Sequence, residues 1–168
     1  MKRKFFAFIL LLSAGLSLSS CLSSDDDTNI EYTHDTAITA FSLGTMNRYY
    51  LGKTSDGTKD STYATTIAGS NYKFYIDQTA GKIYNADSLP VGTKISAALA
   101  SITAKQSSPL LWVLKDKDNK DSLAYYSSSD SVDFSKPKEI RVYNNDYSAY
   151  RTYTITVNVH KEGPDSFV

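Results

Sequence analysis

The chain has one cysteine, two histidines, four prolines and one tryptophan among its 168 residues. A lone cysteine cannot close a disulfide within the chain, which excludes the stapled scaffolds of small secreted domains. The two imidazoles, His34 and His160, fall in a polar linker and at the end of a strand-like run. Catalysis by a nucleophile or a general base needs a base held beside the reacting group, and neither position offers one. No catalytic residue, metal ligand or cofactor site is assigned, and no enzyme is expected. The 18 basic and 18 acidic residues are interspersed. A nucleic-acid partner would ask for a basic patch, so none is expected. Long apolar runs are also scarce. Phe5–Leu12 is the sustained one, and it falls short of the about 20 residues of a permanent span.

What is present begins at the N-terminus. Lys2, Arg3 and Lys4 precede the apolar run, and residues 13–20 are small or moderately apolar. This is the order of a secretory signal over residues 1–20. Leu18-Ser19-Ser20-Cys21 then resembles the bacterial lipobox. Small residues let an extended backbone enter a peptidase cleft, and the thiol accepts a diacylglyceryl group. The resemblance implies that Cys21 becomes the lipidated first residue of the mature chain, held on a membrane by two or more acyl chains. Residues 21–35 read as a flexible acidic linker. Within it, Ser23, Ser24, Asp25, Asp26 and Asp27 follow the cysteine closely. One reading is a solvated segment kept extended by its charge. The other is a surface-export signal, because an acidic run at this place resembles the one that sends Bacteroidota lipoproteins to the outer face of the outer membrane. Proximity to the cysteine favours the second. The expected location is therefore the outer membrane, lipid-anchored and facing the cell exterior.

Residues 36–160 carry strand signals. In "YRTYTITVNVH", Tyr153, Ile155, Val157 and Val159 alternate with polar residues, which places them on one face of a β-strand. "EIRVY" alternates Ile140 and Val142 with Glu139, Arg141 and Tyr143, and the turn formers of residues 144–148 join the two runs into a hairpin. "YKFYID", "LLWVLK" and "SLAYYS" read as further strands, the last two joined across "KDKDNKD". "RYYLGK" and "STYATTI" flank Asp56-Gly57, a hairpin signal. In "AITAFSLG", a bulge between Ile38 and Phe41 brings the apolar residues into phase. "KISAALASI" spaces Ile95, Leu99 and Ile102 by four and three, which predicts a helical turn leading into a strand. Many short strands with regular turns predict an all-β fold, an Ig-like β-sandwich of about seven to nine mostly antiparallel strands.

Four segments carry a resemblance over nearly the whole of this body. They are "AITAFSLG" (37–44), "LPVGTKIS" (89–96), "DSVDFSKPKEIRVY" (130–143) and "AYRTYTITVNV" (149–159). Together they resemble the N-terminal Ig-like domain of Bacteroidota surface lipoproteins of unknown function, in which a β-propeller follows in longer members. Pro137 cannot donate to a sheet ladder and so precedes its strand. Phe134 is expected to tuck under the end of the sandwich. The family's last hairpin has an Asp-Gly turn. Here Asp146-Tyr147 stands in its place, so Asn144 or Asn145 is expected to take the positive φ. Residues 161–168 read as a tail or the start of a linker. The sequence is compatible with a short protein and with the front of a longer one.

"DKDNKD" has acids at Asp116 and Asp118 but then Lys120 and no glycine, which suits a polar turn better than a calcium loop. Asp130 and Asp133 are close but read as a loop rather than as a glycosidase pair. Tyr49-Tyr50, Tyr125-Tyr126 and Trp112 could stack on sugars, yet neighbours on a strand face opposite ways, so one ring of each doublet is expected in the core. Asp followed by Ser or Thr and a small or aliphatic residue occurs at Thr36, Ser61, Ser88, Ser122 and Ser131. This resembles the O-glycosylation acceptor of exported Bacteroidota proteins. Asp and Ser/Thr also open turns through local hydrogen bonds, and both readings place these residues on exposed loops. The expected function is a non-catalytic binding or adhesion module with a glycan or surface protein as partner. The alternative is a spacer or assembly subunit holding a partner or a further domain off the membrane.

Overall fold

The computed structural model describes residues 36–161. The signal, Cys21, the Ser23–Asp27 run, His34 and residues 162–168 lie outside the described residues. In chain order the strands are β1 (Ile38–Leu43), β2 (Thr45–Lys53), β3 (Asp60–Ala68), β4 (Phe74–Asp77), β5 (Lys82–Asn85) and β6 (Ala98–Ala104). They continue as β7 (Leu110–Lys115), β8 (Asp121–Tyr125), β9 (Ser131–Val132), β10 (Lys138–Tyr143) and β11 (Tyr150–Thr156). The fold is all-β, and short 3-10 turns are the helical elements among the described residues. No helix there is long and apolar enough to cross a membrane.

A six-stranded sheet, ordered β4-β5-β11-β10-β7-β8, faces a three-stranded sheet, ordered β1-β6-β9. Both contribute to one core. Phe74, Ile83, Trp112, Ile140, Val142, Tyr153 and Ile155 come from the large sheet, and Ile38, Phe41, Leu43, Ala98, Ala100 and Ile102 from the small one. This is the expected β-sandwich, with eleven strands where seven to nine were expected. The additions are the four-residue β5 and the two-residue β9, each too short to show a period. Pairing is antiparallel except between β5 and β11, which run parallel.

Local chemistry explains the elements. β10 and β11 pair from Lys138↔Ile155 to Tyr143↔Tyr150, and their alternation buries Ile140, Val142, Tyr153 and Ile155. The pairing of β1 with β6 shifts register between Ile38 and Ala40, which is the bulge that brings Ile38, Phe41 and Leu43 to one face. Phe134 is buried beneath the end of the sandwich, and its N–H donates to the Ile95 carbonyl at 2.9 Å. A polar network fixes the start of β1. The Tyr153 hydroxyl accepts from the Ile38 N–H at 3.3 Å and donates to Gln78 Oε1 at 2.5 Å, while Gln78 Nε2 donates to the Ile38 carbonyl at 2.7 Å. Buried polar groups of this kind require partners, and these supply them.

β2 and β3 behave differently. They pair over nine positions without a register shift and form a sheet of their own. Only the base of this arm is tied down. The Tyr49 N–H donates to the Gly92 carbonyl at 2.9 Å, the Lys94 N–H to the Asn47 carbonyl at 2.8 Å, and Arg48 Nε to the Val91 carbonyl at 2.8 Å. Gly92 has φ of 82°, and a Cβ there would lie 1.7 Å from the Tyr49 carbonyl oxygen. Only glycine permits that approach.

Three expectations are corrected. The helical turn expected within residues 95–102 shrinks to a bare turn at Ser96 and Ala97, and the strand expected after it already begins at Ala98. β6 carries Ala98, Ala100 and Ile102 inward, and Leu99 is exposed. In the last hairpin the positive φ belongs to Tyr147, at 60°, not to Asn144 or Asn145. In the first doublet neither ring is in the core. Tyr49 and Tyr50 are both exposed, because no second layer covers the arm.

Candidate binding cleft and tyrosine surface

β8 is an edge of the large sheet and β9 an edge of the small one. Between them a cleft of about 230 Å³ is lined by Trp112, Leu114, Ala124, Tyr125, Asp130, Ser131, Val132, Asp133 and Lys138, among others. The edge strand places Ala124 opposite Trp112. The Trp112 ring meets Tyr126 and Phe134 edge-on, with centroids 6.1 and 6.2 Å away. Its Nε1–H is buried with no hydrogen-bond partner among the described residues. The Asp133 carboxylate accepts from the Ser135 hydroxyl and from its N–H at 2.8 Å, and these bonds hold its pKa below the usual carboxylate range. It is therefore a fixed anion at the mouth of the cleft. A pocket this size is smaller than the roughly 300 Å³ at which drug-sized sites begin, and it suits one sugar ring or one side chain.

Beside the cleft, on the outer face of the large sheet, tyrosines gather around Arg141. The Arg141 guanidinium lies 4.6 Å over the Tyr150 ring, and its Nη2 donates to Asp121 Oδ2 at 2.8 Å. Lys115 donates to the same carboxylate, and this hydrogen bond first, with Arg141 adding to it, lowers the Asp121 pKa. Tyr143 stands between Tyr147 and Tyr150, at centroid distances of 5.5 and 5.1 Å. The hydroxyls of Tyr125 and Tyr147 are 3.3 Å apart, which raises the Tyr147 pKa. Tyr125, Tyr147 and Tyr150 remain 69%, 47% and 44% exposed. The turn that presents Tyr147 is built from Asn144 and Asp146. The Tyr147 N–H donates to the Asn144 carbonyl at 3.0 Å, and Asp146 Oδ1 accepts from the Ser148 N–H at 3.0 Å. A bulky residue at positive φ is strained, and such strain persists where the surroundings over-determine it. Ring faces held in this way can stack on apolar faces of a ligand while adjacent charges take its hydroxyls.

The family model described as "Domain of unknown function (DUF6242) N-terminal domain" matches residues 41–157, from within β1 to just past β11 and more than half of the chain. The chain belongs to that family. No curated protein and no solved structure gives a match. Nothing in the DUF6242 match or in the all-β fold indicates a catalytic family.

Within this DUF6242 domain the residues singled out from the sequence scatter. Trp112 is core, and Tyr126 is half-buried, donating to the Ala100 carbonyl at 2.8 Å and accepting from the Ile102 N–H at 2.9 Å. Tyr125 is exposed, so the second doublet divides as expected. Asp116 caps the polar turn, its Oδ1 accepting from the N–H groups of Asp118 at 2.9 Å and Lys120 at 2.7 Å. His160 is exposed, with its backbone N–H on the Leu89 carbonyl at 2.9 Å. The expectation that the five glycan-acceptor candidates sit on exposed loops is corrected. Thr36 is 1% exposed, which leaves a glycan no room. Ser61, Ser122 and Ser131 lie in β3, β8 and β9, the last two exposed, and Ser88, outside the strands like Thr36, is half-buried. Ser131 also lines the cleft, so a glycan there would cover it. The structure brings Asp130 and Asp133 to the cleft with Lys138, a residue without a sequence signal of its own. Tyr147 and Tyr150 were also missed, although their place around the last turn, out of phase with the core residues, pointed outward.

Proposed function

We propose that this DUF6242 domain is a non-catalytic binding module carried at the cell surface on a lipid at Cys21. The ligand class is a glycan. The observation that carries this reading is the convergence of Tyr125, Asp130, Asp133 and Lys138 on one small cleft beside a fixed tyrosine surface. An aromatic face with flanking charged groups is what a sugar ring requires. The lipobox-like Leu18–Cys21 and the acidic Ser23–Asp27 run support attachment to the outer face of the outer membrane in a Bacteroidota-type cell. The four segments quoted above support a place ahead of a β-propeller in longer members. The test is a glycan array probed with the native chain and with Tyr125→Ala. A hit that the variant loses by tenfold or more supports the reading. Equal binding by both, or no hit on host and dietary glycans, overturns it. Protease added to intact cells checks the location, since a surface domain is digested while a periplasmic control survives.

A spacer or assembly role is favoured by a separate observation. The chain joins the sandwich at Ile38, beside Tyr153, and leaves it at Val159 and His160, beside Leu89. These points are roughly 20 Å apart along β11 and its continuation to Val159, at about 3.3 Å per residue of extended chain. A domain threaded end to end in this way separates whatever precedes it from whatever follows. Shortening the distance by replacing the domain with a flexible linker would impair a partner's function under this reading, with no dependence on Tyr125.

A further inference from the structure

β3 reads Asp60-Ser61-Thr62-Tyr63-Ala64-Thr65-Thr66-Ile67-Ala68, and β2 is its only strand partner among the described residues. Its other edge therefore presents a row of unpaired N–H and C=O groups over nine residues. Natural edge strands are blunted by proline, lysine, inward charges, bulges or brevity. β3 has none of these. Its one charged residue, Asp60, stands at the end and is paired with Lys53 at 2.6 Å. The register with β2 runs unbroken, and residues 62–66 are all exposed. A two-stranded sheet is marginal in water, and three or more strands are needed for independent stability.

We propose that β3 pairs antiparallel with β3 of a second copy of this chain, about a twofold axis at Ala64, making one continuous four-stranded sheet from two arms. The sequence is self-complementary in that register. Ala64 meets Ala64, Tyr63 meets Thr65, Thr62 meets Thr66, and Ser61 meets Ile67 of the second copy. Aromatic–β-branched and Thr–Thr pairs are among the favourable cross-strand neighbours. Asp60 meets Ala68 of the second copy, so the two Asp60 carboxylates stand at opposite ends of the ladder, roughly 26 Å apart. No like charges oppose. Directly opposed residues share a face, so the stacked Tyr50–Tyr63 pair, with centroids 5.8 Å apart, becomes continuous with its symmetry mate. About eight to ten interchain backbone bonds form in such a ladder. The same patch on both copies closes the assembly as a dimer rather than a fibre. The inference does not depend on the glycan reading.

The test is sedimentation of the full chain in mild detergent over a range of concentrations, with Ala64→Lys, Ala64→Glu and Thr62→Lys beside it. A concentration-dependent dimer is expected. Ala64→Lys places two ammonium groups together on the axis and weakens the dimer at least tenfold, as does Ala64→Glu with carboxylates. Mixing these two variants restores it. Thr62→Lys, which opposes Thr66 and not itself, weakens the dimer less. A chain that stays monomeric at every concentration overturns the proposal. So does a dimer indifferent to Ala64→Lys, or equal losses in Ala64→Lys and Thr62→Lys. Unchanged thermal unfolding of each variant checks that the fold is intact, as the exposure of both positions implies.

Discussion

The β2–β3 and β10–β11 hairpins are drawn from similar residues, rich in tyrosine and threonine, and they even share a turn. In the first, the Thr54 N–H donates to the Lys59 carbonyl at 2.8 Å, and the Gly57 N–H to the Thr54 carbonyl at 2.7 Å. In the second, the Asn144 N–H donates to the Ala149 carbonyl at 3.0 Å, and the Tyr147 N–H to the Asn144 carbonyl at 3.0 Å. Each turn has an aspartate at its third position, Asp56 or Asp146, whose carboxylate is held by the hydroxyl and N–H groups around it. The Thr54 hydroxyl is the main cause at Asp56, with a pKa of about 2, and the Ser148 hydroxyl at Asp146. Each has a left-handed fourth residue, Gly57 at φ 72° or Tyr147 at 60°. Yet β10–β11 lies in mid-sheet with one face in the core, while β2–β3 stands alone with its outer half exposed on both faces. Turn chemistry thus decides that a hairpin forms, and a second layer decides what it is worth to the fold. The difference is structural as well, since one hairpin builds the sandwich and the other leaves the outer edge of β3 without a strand neighbour among the described residues.

The comparison can be sharpened by breaking each hairpin in turn. Tyr153→Ala removes a fully buried ring and the hydroxyl that serves Ile38 and Gln78. A loss of about 4 kcal/mol is expected from large-to-small substitution in a core, read as a lower urea midpoint for the whole domain. Gly92→Ala drives a Cβ into the Tyr49 carbonyl. About 3 kcal/mol is expected from strain and clash, confined to the arm. Hydrogen exchange should show protection lost across residues 45–68 and kept across 138–156, and uniform loss would show that the arm is no separate unit. At the shared left-handed position the two turns should respond in opposite directions. Gly57→Ala costs about 1 kcal/mol, whereas Tyr147→Gly relieves backbone strain while removing a ring from the tyrosine surface, so thermal unfolding holds or rises as any glycan binding falls. The smallest effect is expected for Leu51→Ala. Leu51 is 76% exposed on the arm, and surface changes of this kind stay within about 0.5 kcal/mol.

The sequence was most legible where β-branched residues alternate against polar ones. β10, β11 and the bulge in β1 follow from that pattern alone, because a one-residue slip would turn every apolar side chain to water. The start of β6 was misplaced because two of its inward residues are alanines, too weakly apolar to outweigh the four-and-three spacing of Ile95, Leu99 and Ile102. The parallel contact between β5 and β11 joins residues far apart in sequence, and four residues carry no period. The arm misled for a different reason. Its alternation looks like that of any half-buried strand, and only the tertiary structure tells that nothing covers it. The cleft was the least legible part. It arises where two edge strands of different sheets, β8 and the two-residue β9, come side by side, and each of its residues has an ordinary local reason to be where it is.

The place of β11 in the large sheet has a temporal consequence. It is the last strand among the described residues, and it alone joins the β4–β5 pair to the β10, β7 and β8 group. Until residues 150–156 have emerged from the ribosome, the sheet is two unjoined fragments with a core exposed between them. Domains fold as units, and non-local pairings such as Lys82 with Thr154 come slowly. A domain ordered in this way stays open until β11 docks, so the closing of its large sheet waits on the most distal strand among the described residues.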